Sequence, residues 1–300
     1  MVIDSEYTLT TDEVRRIEEV SRAVAAVLDR ERSALDEHRR ELDAAVLALV
    51  GTDDRARDRV LKGVLARHAR TFRTTACAVI RVWSAEVEPA EAEIALRQVL
   101  DSLSRRQPDR MLTTVSGTEG VLVFAVGRDA GELPDFAKRL VEGLEQLLGR
   151  SSVAASGIGD PVPDLAHSRR SVEQARIAAR RGGTVGAAGS VVSWTSLGPY
   201  APLLALAECG LDRDVVPAPV VALMEHEKGA RLVETLRAYL DEGGSIPRTA
   251  SRLHLHRSSL YYRFEQIRAV TGLDLDDGRD RLLLHVGLML TDLLDDPGSP

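Results

Sequence analysis

The spacing of apolar residues changes near residue 75, and this change limits the folds that the chain can adopt. From residue 11 to residue 72, apolar residues recur at the three- and four-residue intervals of an amphipathic helix. From residue 75 to residue 195, short apolar runs rich in β-branched residues alternate with helical segments. From residue 229 onward the helical spacing returns. The sequence therefore predicts a mixed α and α+β fold: an N-terminal helical region (1–74), a central α+β domain (75–195) and an all-α C-terminal domain (229–296).

Leucines at seven-residue intervals mark the N-terminal helical region. They are Leu28, Leu35, Leu42 and Leu49. Such a heptad is typical of a seam between two helices. Four polar residues interrupt the companion positions: Glu31, Arg32, His38 and Arg39. Two interpretations stay open, a long dimeric coiled coil and an amphipathic helix packed within a small helical bundle. A second helical piece, over 55–72, is expected to return along the first.

The central region has the predicted order β-α-β-β-α-β-α-β. Apolar runs predict strands over 76–84, 111–117, 120–127, 152–159 and 190–194, and helical spacing predicts helices over 89–104, 135–148 and 165–181. A hairpin is expected at the Gly117-Thr118-Glu119-Gly120 segment. This order predicts a mainly antiparallel sheet with helices covering one face. Cys77, in the first run, is expected to be a small core residue. Cys209 is expected at a helix end.

Four prolines mark residues 196–228 as a connector, for which we expect one short helix over 203–209. Three helices then follow. The first is predicted to end at Gly243-Gly244, because only glycine adopts the left-handed cap at low cost. The second is predicted over 246–253 with Ser245 as its N-cap, and the third from Arg257 to about residue 270. Two short helices joined by a tight turn, with the small Ala250 at their crossing, predict a helix-turn-helix.

Charge inverts locally over this predicted helix-turn-helix. The whole chain has 39 basic and 46 acidic residues and a formal charge of −7, which disfavours a general binder of polyanions. Residues 246–268 hold five arginines and one glutamate. Such an inversion suits a DNA-facing surface, since phosphate contacts supply much of the affinity. The alternative is a solvated basic face on a helical hairpin.

The predicted DNA-binding residues divide by role. Arginine and hydroxyl groups bind phosphates, and short hydroxyl side chains at the start of a recognition helix can reach base edges. The expected phosphate contacts are Arg248, Thr249, Arg252, Arg257 and Arg263. The candidates for the groove face are Ser258, Ser259 and Tyr262, and His256 is also placed in the binding set. Of the two adjacent tyrosines, Tyr261 and Tyr262, one is expected to be half-buried.

The segment TASRLHLHRSSLYYRFEQIRAVTGLDL (249–275) resembles the C-terminal helix-turn-helix of PucR/CdaR-type bacterial transcriptional regulators. Their pattern is close to A-x-x-L-x-[VL]-H-R-x-[ST]-L-x-Y-R-[LF]-x-x-I, followed by T-G-x-D-L. The matching positions are Ala250, Leu253, Leu255, His256, Arg257, Ser259, Leu260, Tyr262, Arg263, Phe264, Ile267, Thr271, Gly272, Asp274 and Leu275. The resemblance implies sequence-specific binding to double-stranded DNA by dimers or higher oligomers. It names no effector.

The central region resembles the GGDEF-like domain that often precedes this helix-turn-helix. GIGDPVPDLAHSRRSVEQARIAARRG (157–182) is similar to its final strand and helix. A diguanylate cyclase would need carboxylates for two Mg²⁺ ions. Residues 80–83 hold no acid, and the hairpin keeps only Gly117 and Glu119 of the motif. We therefore expect no enzyme activity, no cofactor and no metal, and we favour a dimerisation or relay domain. Nucleotide binding without turnover stays open.

No apolar run approaches the roughly 20 residues that cross a bilayer, and the N-terminus lacks the apolar core of a secretory signal. The expectation is a cytoplasmic protein without a membrane partner. Two alternative functions stay open. One is a non-catalytic nucleotide or metabolite sensor with a vestigial helix-turn-helix, and the other is an interaction protein that acts through residues 11–72.

Overall fold

The computed structural model describes residues 11–294, apart from residues 84–85, 108, 128–131, 150–153, 185–190, 209 and 211. The predicted position of Cys209 therefore lies outside the described residues. The helices and strands follow in the order α1 (Thr11–Val50), α2 (Asp54–Lys62), β1 (Thr75–Val82), α3 (Pro89–Ser104), β2 (Met111–Ser116), β3 (Glu119–Ala125), α4 (Glu132–Leu148), β4 (Ala154–Ile158), α5 (Ser168–Thr184), β5 (Val191–Ser193), α6 (Tyr200–Ala207), α7 (Ala218–Glu225), α8 (Gly229–Asp241), α9 (Ile246–Arg252), α10 (Arg257–Thr271) and α11 (Gly278–Leu294).

The five strands form one sheet in the order β2-β3-β1-β4-β5. All neighbours pair antiparallel except β4 and β5, which run parallel with Gly157 opposite Val192. The predicted mainly antiparallel sheet is confirmed. Ser116 pairs with Glu119, so the β2–β3 hairpin turns on two residues. The first of them, Gly117, has a φ of +56°, a conformation that glycine adopts without steric cost.

Helices cover both faces of this sheet, so the prediction of one covered face is wrong. On one face, α3 and α4 bury Ala78 and Ile80 of β1. On the other face, α5 and the end of α1 bury the alternate residues Cys77 and Val79. Successive side chains of a strand point to opposite faces, and both sets of β1 are buried. Cys77 is fully buried, as predicted.

The end of α1 packs on the sheet. Ala45, Val46 and Leu49 are buried against the same face as α5, and Leu42 is partly buried there. The side chains of Leu28 and Leu35 lie outside the described set. Helix α2 returns beside α1 as predicted but ends at Lys62, short of residue 72. Arg57 holds the two together by donating to the Leu49 carbonyl oxygen at 3.1 Å.

The C-terminal domain has its own core, formed by α7, α8, α10 and α11. Val220 and Leu223 of α7 are fully buried in it. The sequence predicts one short helix in the connector, over 203–209, which corresponds to α6. Helix α7 is a second helix within 196–228 that the sequence does not predict. In the described part of the chain, no helix is both long enough and apolar enough to cross a membrane.

Candidate DNA-binding site

The turn between α8 and α9 rests on two glycines. Gly243 and Gly244 have φ angles of +62° and +76°, and the Gly244 N–H donates to the Tyr239 carbonyl oxygen at 2.9 Å. The predicted left-handed helix end is confirmed. Ser245 occupies the predicted N-cap position of α9, but its side chain makes no capping hydrogen bond. Its carbonyl oxygen instead accepts from the Thr249 N–H at 2.9 Å.

A tight turn over residues 253–256 joins α9 to α10. The Leu255 N–H donates to the Ala250 carbonyl oxygen at 2.9 Å, and the Ala250 side chain is buried. His254 has a φ of +52°, the one positive φ of a non-glycine residue among those described. His256 caps α10, since its Nδ1 accepts from the Ser258 N–H at 3.4 Å, and the same nitrogen lies 2.8 Å from the Ser258 hydroxyl. The predicted helix-turn-helix is therefore present, and α9 ends one residue earlier than predicted.

The inner face of α10 anchors this helix in the domain. Leu260 and Ile267 are fully buried, and the Phe264 ring lies 4.7 Å from the Tyr239 ring of α8. Tyr239 is itself buried. These contacts fix the rotation of α10 about its axis and so determine which residues face outward.

The outer face of α10 presents hydroxyl groups and one arginine near its N-terminus. Arg257, Ser258 and Ser259 are exposed, and Tyr261 and Tyr262 are 53% and 61% exposed. The expectation of a half-buried tyrosine is wrong, because Leu260 and Phe264 fill the inner positions on either side. An exposed face of this kind has the dimensions and chemistry to enter a DNA groove.

The arginines of α9 are held by acidic residues at the end of α8. Arg248 donates to a Glu242 carboxylate oxygen at 3.1 Å, and Arg252 donates to Asp241 at 3.2 Å. All four side chains are partly exposed, so each pair contributes little to stability. Sequence reasoning overlooked these carboxylates, although the signal was available in two acids directly before Gly243. For Arg257, the described residues provide no carboxylate partner.

Two predicted DNA contacts face inward in the structure. Thr249 is fully buried, and its hydroxyl donates to the Ser245 carbonyl oxygen at 2.8 Å. Arg263 donates to the Thr235 hydroxyl oxygen at 2.9 Å, which ties α10 to α8. Burial, together with the charge of Arg231, lowers the pKa of the Arg263 guanidinium. Arg263 thus helps to hold α10 against α8, whereas the hydrogen bond of Thr249 stays within the first turn of α9.

The T-G-x-D-L motif ends α10 and starts the turn toward α11. Gly272 has a φ of +69°, and its N–H donates to the Arg268 carbonyl oxygen at 2.8 Å. The Thr271 hydroxyl donates to the Ile267 carbonyl oxygen at 2.8 Å. Asp274 accepts from Arg268 at 2.9 Å. The motif therefore has a capping role and does not lie on the outer face of α10.

The hairpin of the central domain keeps one glutamate, and that glutamate has a partner. The Arg176 guanidinium of α5 donates to a Glu119 carboxylate oxygen at 2.9 Å. Glu119 also lies opposite Arg81 in the β1–β3 register. In the described part of the chain, no group of three or more His, Cys, Asp or Glu side chains could hold a metal ion.

Both domains match known families. Residues 232–290 match the PucR C-terminal helix-turn-helix domain, and residues 70–180 match the GGDEF-like domain. The chain therefore contains a helix-turn-helix domain of the PucR type and a GGDEF-like domain. These matches confirm the predicted resemblance. They also cover the segment in which the structure shows the turn, α10 and the capping motif.

Curated relatives agree with this assignment. An uncharacterized protein of Mycobacterium tuberculosis is 30% identical over 233 residues, which cover 73% of this chain and 51% of that protein. The carbohydrate diacid regulator of Escherichia coli is 38% identical over 72 residues, 24% of this chain and 19% of the regulator. The proline-responsive transcriptional activator PutR of Bacillus subtilis is 36% identical over 66 residues, 22% of this chain and 16% of PutR. The chain spans about half the length of the mycobacterial relative. The regulators among these relatives agree with the predicted class, a DNA-binding transcriptional regulator.

Proposed function

We propose that this chain is a sequence-specific DNA-binding transcriptional regulator, with α10 as the helix that enters the major groove. The observation that carries the proposal is the outer face of α10, on which Arg257, Ser258 and Tyr262 are exposed. The opposite face is anchored in the domain by the fully buried Leu260 and Ile267. The PucR-type match over residues 232–290 supports the same surface.

The contact residues follow from exposure and chemistry. Ser258 and Ser259, in the first turn of α10, would reach base edges, and Tyr262 would do so one turn further on. Arg257 would bind a phosphate directly. Arg248 and Arg252 would bind phosphates after exchanging the Asp241 and Glu242 carboxylates for phosphate oxygens. This exchange keeps each arginine paired, so it costs little in water.

Thr249 and Arg263 would stabilise the helices of the site and would not contact DNA. The Thr249 hydroxyl is engaged within the first turn of α9, and Arg263 ties α10 to α8, so neither belongs to the proposed phosphate contacts. His256 would shape the start of α10 through its contact with Ser258.

The regulator would bind as a dimer, because a helix-turn-helix dimer reads two half-sites about 34 Å apart on one side of the duplex. The GGDEF-like domain would serve without cyclase chemistry, since Glu119 is already paired with Arg176. The GGDEF-like domain would instead contribute to dimerisation or relay a signal to the C-terminal domain.

Selection of bound duplexes from a random DNA library gives the first test, followed by salt titrations on the enriched site. We expect a motif with dyad symmetry and an affinity that falls steeply with salt. Arg257→Ala should weaken binding to all sequences and reduce the salt slope by about one unit. Arg170→Ala, which removes an exposed arginine from α5 in the other domain, is the matched control and should leave both quantities unchanged.

Two results would contradict the proposal. One is the absence of any enriched sequence. The other is an Arg257→Ala variant whose affinity and salt slope equal those of the wild type, because the proposed docking places this side chain on the phosphate backbone.

A further inference from the structure

Helix α1 extends well beyond the part that packs on its own domain. Its buried residues begin at Ala45, after the partly buried Leu42. Every described side chain from Arg16 to Glu41 is exposed. At 1.5 Å per residue, this exposed stretch spans about 40 Å. Near its end, His38 lies 2.9 Å from the Arg67 guanidinium and Arg39 pairs with Asp101 at 3.0 Å. Exposed polar contacts of this kind add little stability. A helix gains most of its stability from the packing of an apolar face, which the described residues before His38 do not show.

An apolar stripe runs along this exposed stretch. Ile17, Val20 and Val24 are 51%, 62% and 51% exposed, and their spacing of three and four residues places them on one face of the helix. The sequence continues the same spacing to Val14 and Leu28. Isolated exposed apolar residues are ordinary, but a stripe at helical spacing indicates a surface that another element covers.

The stripe is in register with the leucine heptad. If Leu28, Leu42 and Leu49 take the a position, then Ile17 and Val24 fall at d. The heptad positions therefore lie in two different environments along α1. From Leu42 onward it packs on the sheet of its own chain, and before Leu28 it has no covering element among the described residues. Glu31 and His38, at d, separate the two parts.

Charges on this stretch suit a second copy of the same helix. Arg16, Arg22, Asp29 and Arg30 lie on the face opposite the stripe. Glu18, at e, is a charge that flanks the seam near its start, whereas the flanking positions in the middle hold the uncharged Val20, Ala25 and Val27. Two copies can therefore approach there without like charges meeting across the seam, and a heptad seam requires a partner helix with the same 3.5-residue period.

We propose that residues 14–28 of α1 form a helical pair with the same segment of a second copy of this chain. The pair would follow two-fold symmetry, which is the commonest form of self-association. The proposed function requires two copies of the chain on one operator. The pairing rests on that function, because the paired helices would supply the contact between the two copies. The segment lies at the opposite end of the chain from the helix-turn-helix, so each can be tested without the other.

Sedimentation equilibrium of the full chain without DNA tests the pairing. The wild type should be a dimer at micromolar concentration. Val24→Glu places a charge in the seam and should raise the dimer dissociation constant at least about tenfold. Ala26→Glu adds the same charge two residues away, on the outer face, and should leave the dissociation constant unchanged. Val24→Leu should retain the dimer.

Two results of the sedimentation experiment would contradict the proposed pairing. A monomeric wild type, or equal dissociation constants for Val24→Glu and Ala26→Glu, would overturn the pairing. Thermal unfolding of the domain core controls for misfolding and should be the same in all variants, since Val24 makes no core contact among the described residues. A single duplex half-site, titrated with the Val24→Glu variant, checks the proposed function independently, because one helix-turn-helix should still bind it.

Discussion

At the scale of single residues, the turn between α9 and α10 depends on a backbone conformation that most side chains avoid. His254 has a φ of +52° without being glycine. Left-handed geometry costs an ordinary L-residue roughly 1–2 kcal/mol, and histidine is among the residues that tolerate it better than most. His254, whose side chain is exposed, is therefore less strained at this position than a β-branched residue would be.

Substitutions at this position should divide by backbone preference. We expect His254→Val to lower the free energy of unfolding of the C-terminal domain by about 1 kcal/mol or more, because a β-branched residue is a genuine outlier at positive φ. His254→Gly should leave stability equal or slightly higher, since relief of strain offsets the greater entropy of glycine in the unfolded chain. Urea unfolding monitored by circular dichroism measures both. Equal stabilities of the Val and Gly variants would show that the turn is unstrained.

At the scale of elements, the backbones of β4 and α5 approach so closely that Gly157 and Gly159 leave no room for a side chain. A Cβ atom on Gly157 would lie 1.9 Å from the Ala175 carbonyl oxygen, and one on Gly159 would lie 1.9 Å from the Ser171 carbonyl oxygen. Ala175 and Ala179 are fully buried in this contact. The Ser171 hydroxyl accepts from the Cys77 N–H at 2.9 Å. Two glycines and a row of small residues thus bring the helix backbone against the sheet.

Gly157→Ala should break this contact. The added methyl group meets backbone atoms of α5, which cannot move away as a flexible side chain could, so we expect a loss of about 3 kcal/mol in the free energy of unfolding. Gly278→Ala is the control, because nothing lies within 4 Å of its Cβ position, and it should change stability by less than about 0.5 kcal/mol. Denaturant midpoints of the two variants give the comparison. A midpoint for Gly157→Ala equal to that of Gly278→Ala would refute the close approach.

The elements also show what the sequence could and could not predict. Helix α3 has the predicted bounds, and the turn glycines of the helix-turn-helix were predictable because few other residues adopt positive φ. The two covered faces of the sheet were missed, although the unbroken apolar run over 76–80 signals burial on both sides. The inward position of Arg263 could not be predicted, since it depends on Thr235 across a tertiary contact. The burial of Thr249 depends on how the domain packs, although its hydrogen bond to Ser245 is local to α9. Local patterns specify an element, whereas its partners depend on packing.

At the scale of the whole molecule, α6 connects the GGDEF-like domain to the helix-turn-helix domain. Arg180 of α5 forms an ion pair with Glu208, directly after α6. On the other side, the Tyr200 hydroxyl donates to Asp292 of α11 at 3.3 Å, and Arg237 of α8 donates to the same carboxylate at 2.6 Å. Burial and the Asp292 charge raise the pKa of Tyr200. Asp292 therefore joins α6 to two helices of the DNA-binding domain, and α6 and the residue after it make polar contacts with both domains.

Asp292→Asn should loosen this connection. The amide cannot accept two hydrogen bonds from Arg237 as a carboxylate does, and we expect a loss of about 1 kcal/mol, since the ion pair is partly exposed. Hydrogen exchange over residues 200–207 should become faster, because α6 would open without the domains unfolding. Asp276→Asn, at an exposed position before α11, should leave that exchange unchanged. If α6 exchanges at the wild-type rate in Asp292→Asn, its attachment must depend on apolar contacts alone, and the polar cluster at Asp292 would have no part in coupling the two domains.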